Sequence, residues 1–454
     1  MHEAGPISSR IASLRMNWIV FAIAAIGMPL LACAVIGLRY LTRDTPVKRV
    51  RSHTRAGEAP HVRHELFVPT MQLATKVWLT DGHELSFTAN GNETYPRLWE
   101  DLRAARRSIT MQMYYSQPGR VADKLREVLC ERARAGVKVL FLRDAFGSGK
   151  LPQEYIDALC DAGVEVATFR PVNWYALDKA YARSHIRVVV VDGTVGWTGG
   201  FGIDDKWLGD GLTDGQWRDT NVRFTGPSVA QLQATFAAGW AEATGELLTG
   251  EVFFPERTID GHDPAERGER QGSVAGLLHT APTIGSTAAE RFVALAIASA
   301  QQRLWITNAY FVPDDDFVGL LTHAGERGVD VRILTSGDKT DVKSALYAGR
   351  FAYRKLLAAG VRVFEYVPTV LHAKSVVADG CFAAVGTMNF DNRSMAFNDE
   401  TMLLAYDDAV AREVERLFEK DLEHSAEITR EVYAQRSRWE RAKERVWWSM
   451  RRVL

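Results

Sequence analysis

The feature that most constrains this chain is an internal repeat. His185 and His372 stand 187 positions apart, and so do Asp192 and Asp379. Ser184-His185-Ile186-Arg187 runs into Val188–Val191 and Asp192-Gly193, as Leu371-His372-Ala373-Lys374 runs into Ser375–Ala378 and Asp379-Gly380. Other stretches recur in the same order. Ile109–Tyr115 resembles Ile306–Phe311, Ala135–Val139 resembles Arg327–Val331, and Ala162–Val166 resembles Ala359–Val363. A chain that repeats itself over this distance predicts a duplicated domain. Each copy brings one histidine and one cation to a shared site.

Side chains alternate across a strand, so His372 and Lys374 point to one face. Residues 375–378 read as a short buried strand, and Asp379-Gly380 as a hairpin turn. An imidazole beside an ammonium suits an anionic phosphate. In each copy the remaining segments alternate between strand and helix. Strands are expected at 109–115, 137–142, 164–169, 305–311, 329–335 and 361–366, with a further one at 273–278. Helices are expected at 98–105, 121–135, 229–244, 289–300 and 316–327. That alternation predicts an α/β fold in which a mixed, mostly parallel sheet in each copy is covered by helices. Asp204–Gln216, rich in Gly and Asp, reads as an inserted loop.

The doubled HxKxxxxD pattern resembles the phospholipase D superfamily. Tyr310–Asp314, Gly328–Arg332, Gly386-Thr387-Met388-Asn389 through Arg393-Ser394, and Phe397-Asn398-Asp399-Glu400 resemble its bacterial cardiolipin synthase branch. The resemblance runs from about Leu73 to Arg430 and is stronger in the second copy. It implies two tandem domains related by pseudo-two-fold symmetry. Two departures stand in the first copy: Arg187 where the family has Lys, and Gly202 where Asn is expected by analogy with Asn389.

The same resemblance implies a catalytic set of His185, Arg187 and Asp192 with His372, Lys374 and Asp379. A neutral imidazole attacks phosphorus and forms a phosphohistidine, and the other, protonated, gives its proton to the leaving alcohol. In the wider family the first-copy histidine is often the nucleophile, which points to His185. Arg187 and Lys374 hold the non-bridging oxygens, with Thr387 and Asn389 as neutral donors. A carboxylate on each imidazole's other nitrogen fixes its tautomer. Glu400 matches that role in the second copy, and Asp219 is the candidate in the first. Asp192 and Asp379, though part of the motif, read mainly as turn residues and copy-to-copy contacts. No cluster has metal-ligand spacing, and the family mechanism implies neither metal nor cofactor.

The implied reaction joins two phosphatidylglycerols into cardiolipin and glycerol. The alternatives are a phospholipase D releasing phosphatidic acid, and an inactive lipid-binding scaffold. The formal net charge of -1 over 454 residues argues against a nucleic-acid partner. The expected partners are phosphatidylglycerol and anionic membrane lipids. Trp174, Tyr175 and Trp207 flank the first histidine and are candidates equally for lipid contact and for core packing.

Both ends bear on the membrane. After a polar leader (1–15), the apolar run Ile19–Leu38 suits one bilayer crossing. We read 16–41 as a retained anchor, rather than a cleaved signal or a lipoprotein signal at Cys33. Arg39, Arg43, Lys48, Arg49, Arg51 and Arg55 follow it, which puts the C-terminal bulk in the cytoplasm, on a bacterial cell membrane. The remaining expected boundaries are a juxtamembrane linker (42–70), domain 1 (71–253), a connection (254–287), domain 2 (288–430) and a basic helix (431–454). Arg and Lys alternate in that helix with Trp439, Trp447 and Trp448. A lipid headgroup surface and packing on the core are both open to it.

Overall fold

The computed structural model describes residues 47–51, 59–171, 183–255, 272–283 and 285–453, with Gly27, Leu30, Leu31, Ala34, Val35, Gly37 and Leu38 as isolated helical positions. Among the described residues no helix is long and apolar enough to cross a membrane. The leader, most of the expected anchor, Cys33, Trp174 and Tyr175 lie outside them.

Among the described residues seventeen strands form, in chain order: β1 (Thr80–Ala89), β2 (Ser108–Met113), β3 (Lys138–Asp144), β4 (Glu165–Phe169), β5 (Arg187–Val191), β6 (Val195–Gly199), β7 (Trp217–Arg218), β8 (Thr220–Thr225), β9 (Ser273–Thr280), β10 (Arg303–Asn308), β11 (Asp330–Ser336), β12 (Arg362–Tyr366), β13 (Val370–Leu371), β14 (Lys374–Ala378), β15 (Phe382–Gly386), β16 (Glu400–Tyr406) and β17 (Ser425–Glu427). Fifteen of them join one sheet in the order β17-β12-β11-β10-β14-β15-β16-β9-β1-β8-β6-β5-β2-β3-β4. Read outward from β9 and β1, the two halves list equivalent strands in the same order.

The expectation of a mostly parallel sheet is corrected. Parallel pairing within this sheet is confined to β2–β3–β4 and β10–β11–β12. Each of these parallel steps is joined by a helical crossover, such as Arg120–Arg134 between β2 and β3. The histidine strands run the other way. β5 is antiparallel to β2 and β14 to β10, and each turns directly into its neighbour through Asp-Gly. Short turns force antiparallel pairing, whereas a parallel step needs a long crossover.

Apolar runs such as Val188–Val191 are buried on both faces because helices cover both sides. Arg120–Arg134 and Gln153–Asp161 cover one face of the first half. Ala288–Ser299, Asp315–Glu326 and Lys343–Ala358 cover the corresponding face of the second. Ser228–Thr244 and Asp408–Leu422 share a core that draws on both halves, with Phe236, Trp240, Trp305 and Phe418 in it. The segment before β1 packs on the second half: Phe67 meets Phe382 edge-on at 5.3 Å. The halves are thus one packed body, and the carboxyl ends of β2 and β10 open on the same region, the usual place for a ligand in α/β sheets.

Candidate active site

The two histidines sit just before β5 and β14, where those strands pass the carboxyl ends of β2 and β10. Each is held by the other half of the chain. Val370 and Leu371 of β13 pair in parallel with Trp217 and Arg218 of β7, and His372 N–H donates to Arg218 O at 2.6 Å. Equivalently, Ser184 bridges Asp399 in parallel, and His185 N–H donates to Asp399 O at 2.9 Å. In both cases the next residue on the opposing chain is the carboxylate. His372 Nδ1 lies 2.8 Å from Asp219 Oδ2, and His185 Nδ1 lies 3.0 Å from both Glu400 oxygens. The sequence supplied one carboxylate per copy; the structure pairs each with the histidine of the other copy.

Both imidazoles are buried, and burial drives their pKa well below the usual histidine value. Arg187 and then Lys374 push His185 further down; Lys374 and then Arg187 do the same to His372. Neutral imidazoles that donate Nδ1–H to a carboxylate present a bare Nε2 lone pair. Glu400 is raised to about 7 by burial, against the hydrogen bonds it accepts from Ser394 and Thr387. Asp219 is likewise raised by burial, opposed by Lys374 and by donation from Trp207.

Arg187 and Lys374 are almost wholly buried. Arg187 Nη1 donates to His185 O at 2.6 Å and Nε to Phe201 O at 3.2 Å. Lys374 Nζ donates to His372 O. Burial pushes the Lys374 ammonium down to about 7, with Asp219 opposing the shift. Thr387 does not face outward as a neutral donor, because its hydroxyl donates to Glu400 Oε2 at 2.5 Å. Asn389 is buried, and its Oδ1 has no partner among the described residues.

Asp192 and Asp379 lie at the far ends of β5 and β14 and do not bridge the copies as expected. Asp192 accepts from the backbone N–H groups of Arg106, Arg107 and Ser108, and Asp379 from those of Gln301, Gln302 and Arg303. Each has a left-handed backbone, at φ 54° and 48°. Each carboxylate ties its own turn to the entry of the neighbouring strand within its own copy.

The 187-residue offset continues further than the sequence reading took it. Asp204 and Asp391 are counterparts, and each accepts a backbone N–H at the start of a short helical turn. Lys206 then answers to Arg393, and Trp207 to Ser394. The inserted loop therefore begins after Trp207, not at Asp204. Trp207, a candidate equally for lipid contact and core packing, is buried against His372, with its ring edge-on to the imidazole at 5.5 Å. A Cβ at Gly202 would come within 2.6 Å of the Trp207 ring, so the space of the missing asparagine is taken by the indole. Sequence reasoning also passed over Lys206, Trp217, Tyr114 and Tyr310. Tyr114 meets His185 at 5.1 Å, and Trp217 and Tyr310 meet His372 at 4.8 and 6.4 Å. The offset was the available signal for Lys206. Among the described residues no group of three or more His, Cys, Asp or Glu is arranged to hold a metal ion.

Comparison with known proteins gives a consistent result. The family model described as cardiolipin synthase, PLD-like domain matches residues 98–240 and 293–422. Cardiolipin synthase 2 of Bacillus anthracis is 36% identical over 340 residues, covering 75% of this chain and 64% of the relative. Cardiolipin synthase of Geobacillus sp. (strain WCH70) is 36% identical over 374 residues, 81% of this chain and 72% of that one. The chain thus spans a little under two thirds of the Bacillus protein. Among solved structures, the phosphatidylserine synthase of Haemophilus influenzae Rd KW20 superposes with a TM-score of 0.64 at 14% identity, covering 86% of this chain and 100% of that one. That likeness establishes the fold.

Proposed function

This chain belongs to the phospholipase D superfamily, in its cardiolipin synthase branch, and from that premise we propose that it is a phosphatidyltransferase joining two phosphatidylglycerols. The observation that carries the reading is the crossed pair, His185 on Glu400 and His372 on Asp219, around the buried cations Arg187 and Lys374. The relatives' names supply the product, cardiolipin.

In this reading the phosphodiester enters as an anion between Arg187 and Lys374. Its charge favours protonation of one imidazole, which the free site holds neutral. His185 Nε2 attacks phosphorus as the bond to the glycerol headgroup oxygen breaks, and His372 Nε2–H protonates the departing alkoxide. A covalent phosphatidyl-histidine remains. The hydroxyl of a second phosphatidylglycerol then gives its proton to His372 as its oxygen attacks phosphorus and His185 leaves. Glu400 and Asp219 keep both Nδ1–H tautomers fixed throughout. Arg187, Lys374 and the Asn389 amide stabilise the charge that builds on the non-bridging oxygens.

We place the enzyme on a bacterial cell membrane through the apolar run 19–38, with its bulk cytoplasmic, supported by the cations that follow the run. The helix Arg438–Ser449 supports a second contact. Trp448 stacks on Phe351 at 5.1 Å, and Glu444 is buried with Arg436, so one face is committed to the body. Trp439, Val446 and Met450 face outward among Arg438, Arg441 and Arg445. An apolar stripe flanked by arginines fits the headgroup region of an anionic bilayer.

The test uses purified full-length protein in vesicles with labelled phosphatidylglycerol. The expected products are cardiolipin and free glycerol, both lost in His185→Ala and in His372→Ala. Phosphatidic acid as the main product would replace the transferase with a hydrolase. Turnover that survives both substitutions would remove the shared site.

A further inference from the structure

Lys206 is a cation the mechanism above does not use. Its Nζ stands 3.6 Å from the centroid of Trp217, 3.8 Å from Tyr115 and 4.6 Å from Trp207. Among the described residues no carboxylate lies within ion-pair distance of it. Three aromatic faces around one ammonium form a cage of the kind that recognises quaternary ammonium groups. The cage is built. Trp207 is fixed by donating Nε1–H to Asp219 Oδ2 at 2.8 Å, and Gly202 leaves room for its ring. Trp207 and Trp217 stack edge to face at 4.9 Å. Burial pushes the Lys206 ammonium down to about 8.

The cage also adjoins the chemistry. Trp217 leans on the His372 imidazole at 4.8 Å and Trp207 at 5.5 Å. A phospholipid whose phosphorus faces His372 projects its headgroup from that phosphorus, and a choline ammonium sits two carbons beyond the ester oxygen. Tyr115, Lys206 and Trp217 are only partly buried, so the cage opens outward from the histidine.

We propose that Lys206 is a built-in occupant of a headgroup pocket. Its ammonium fills the aromatic cage beside His372, keeps out lipids with a quaternary-ammonium headgroup, and leaves the site to neutral polyol headgroups such as glycerol. The inference rests on the transferase reading and refines its substrate class. Emptying the cage admits phosphatidylcholine as a donor: its phosphorus–choline ester bond breaks, choline leaves with the proton from His372, and the phosphatidyl group passes to the enzyme histidine.

The experiment compares wild type, Lys206→Ala, Lys206→Met and Lys206→Arg as full chains in mixed vesicles of phosphatidylglycerol and choline-labelled phosphatidylcholine. The readout is the ratio of choline to glycerol released. Wild type, Lys206→Arg and the space-filling Lys206→Met are expected to release almost no choline, while Lys206→Ala raises the ratio at least tenfold. An unchanged ratio in folded, active Lys206→Ala overturns the proposal. Calorimetric titration with tetramethylammonium reads the cage without turnover. Lys206→Ala is expected to bind it, and wild type and Lys206→Ala/Trp217→Ala are not. If wild type releases nothing from either lipid, the transferase reading fails and this titration alone decides the cage. Absence of binding in Lys206→Ala then sinks it.

Discussion

Trp207 and Ser394, 187 positions apart, perform the same task with different chemistry. The Trp207 indole N–H donates to Asp219 Oδ2 at 2.8 Å, and the Ser394 hydroxyl donates to Glu400 Oε1 at 2.6 Å. Each braces the carboxylate that holds the opposite copy's histidine. A hydrogen bond to a buried charged group is worth about 1.5–3 kcal/mol. Trp207→Phe and Ser394→Ala are each expected to lower kcat roughly tenfold or more, with KM little changed. Steady-state kinetics on phosphatidylglycerol vesicles check this; a full kcat in both variants would reduce the bonds to packing.

The crossed pairing predicts which variants behave alike. With an aryl phosphodiester whose leaving group needs no proton, losing the acid spares the first step but stalls the second. His372→Ala and Asp219→Asn are expected to accumulate a phosphohistidine at residue 185. His185→Ala and Glu400→Gln should form little or none. On the natural lipid each carboxylate variant should lose about 10²- to 10⁴-fold in rate. Trapping and peptide mapping decide the matter: Asp219→Asn grouping with His185→Ala would undo the crossing, whichever histidine attacks.

The crossing marks a boundary of what the sequence makes legible. His185, His372 and their cations follow from a local pattern repeated at a fixed offset, and so do the Asp-Gly turns. Which carboxylate meets which histidine depends on the pairing of β13 with β7 and of Ser184 with Asp399, contacts between segments far apart in the chain. The role of Trp207 on Asp219 stayed hidden because an indole and a hydroxyl share no residue chemistry, although both donate one proton. The sheet was misread as mostly parallel because a buried run such as Val188–Val191 has the same composition in either direction. Its direction is set by the turn at Asp192-Gly193.

Lys374 gives the site a pH dependence of definite sign. Burial brings its pKa down to about 7. The ammonium is therefore present below about 7 and lost above it, while Arg187 keeps its charge throughout. A phosphodiester remains a monoanion over this range, so kcat/KM, which reports the free enzyme, is expected to fall as pH rises through about 7. Lys374→Arg should move that alkaline limb upward by more than one pH unit. Its maximal rate should be lower, because a planar fork replaces a point charge. An alkaline limb that stays in place in Lys374→Arg would assign the titration to another group.

Asp379 is expected to govern stability and not turnover. Its carboxylate accepts three backbone N–H groups, from Gln301, Gln302 and Arg303, at 2.9, 2.8 and 2.9 Å. Its own backbone is left-handed at φ 48°. Alanine there removes the acceptors and tolerates the left-handed backbone less well than aspartate does, together about 3 kcal/mol or more. Asparagine tolerates that backbone and keeps one acceptor oxygen, so Asp379→Asn should cost roughly half as much. Both variants, assayed per folded molecule, should retain kcat within about threefold, since neither change reaches the imidazole beyond the other end of β14, roughly 20 Å away along the strand. Denaturant unfolding beside kinetics separates the two roles. An Asp379→Asn protein of unchanged stability and abolished turnover would return this aspartate to the chemistry.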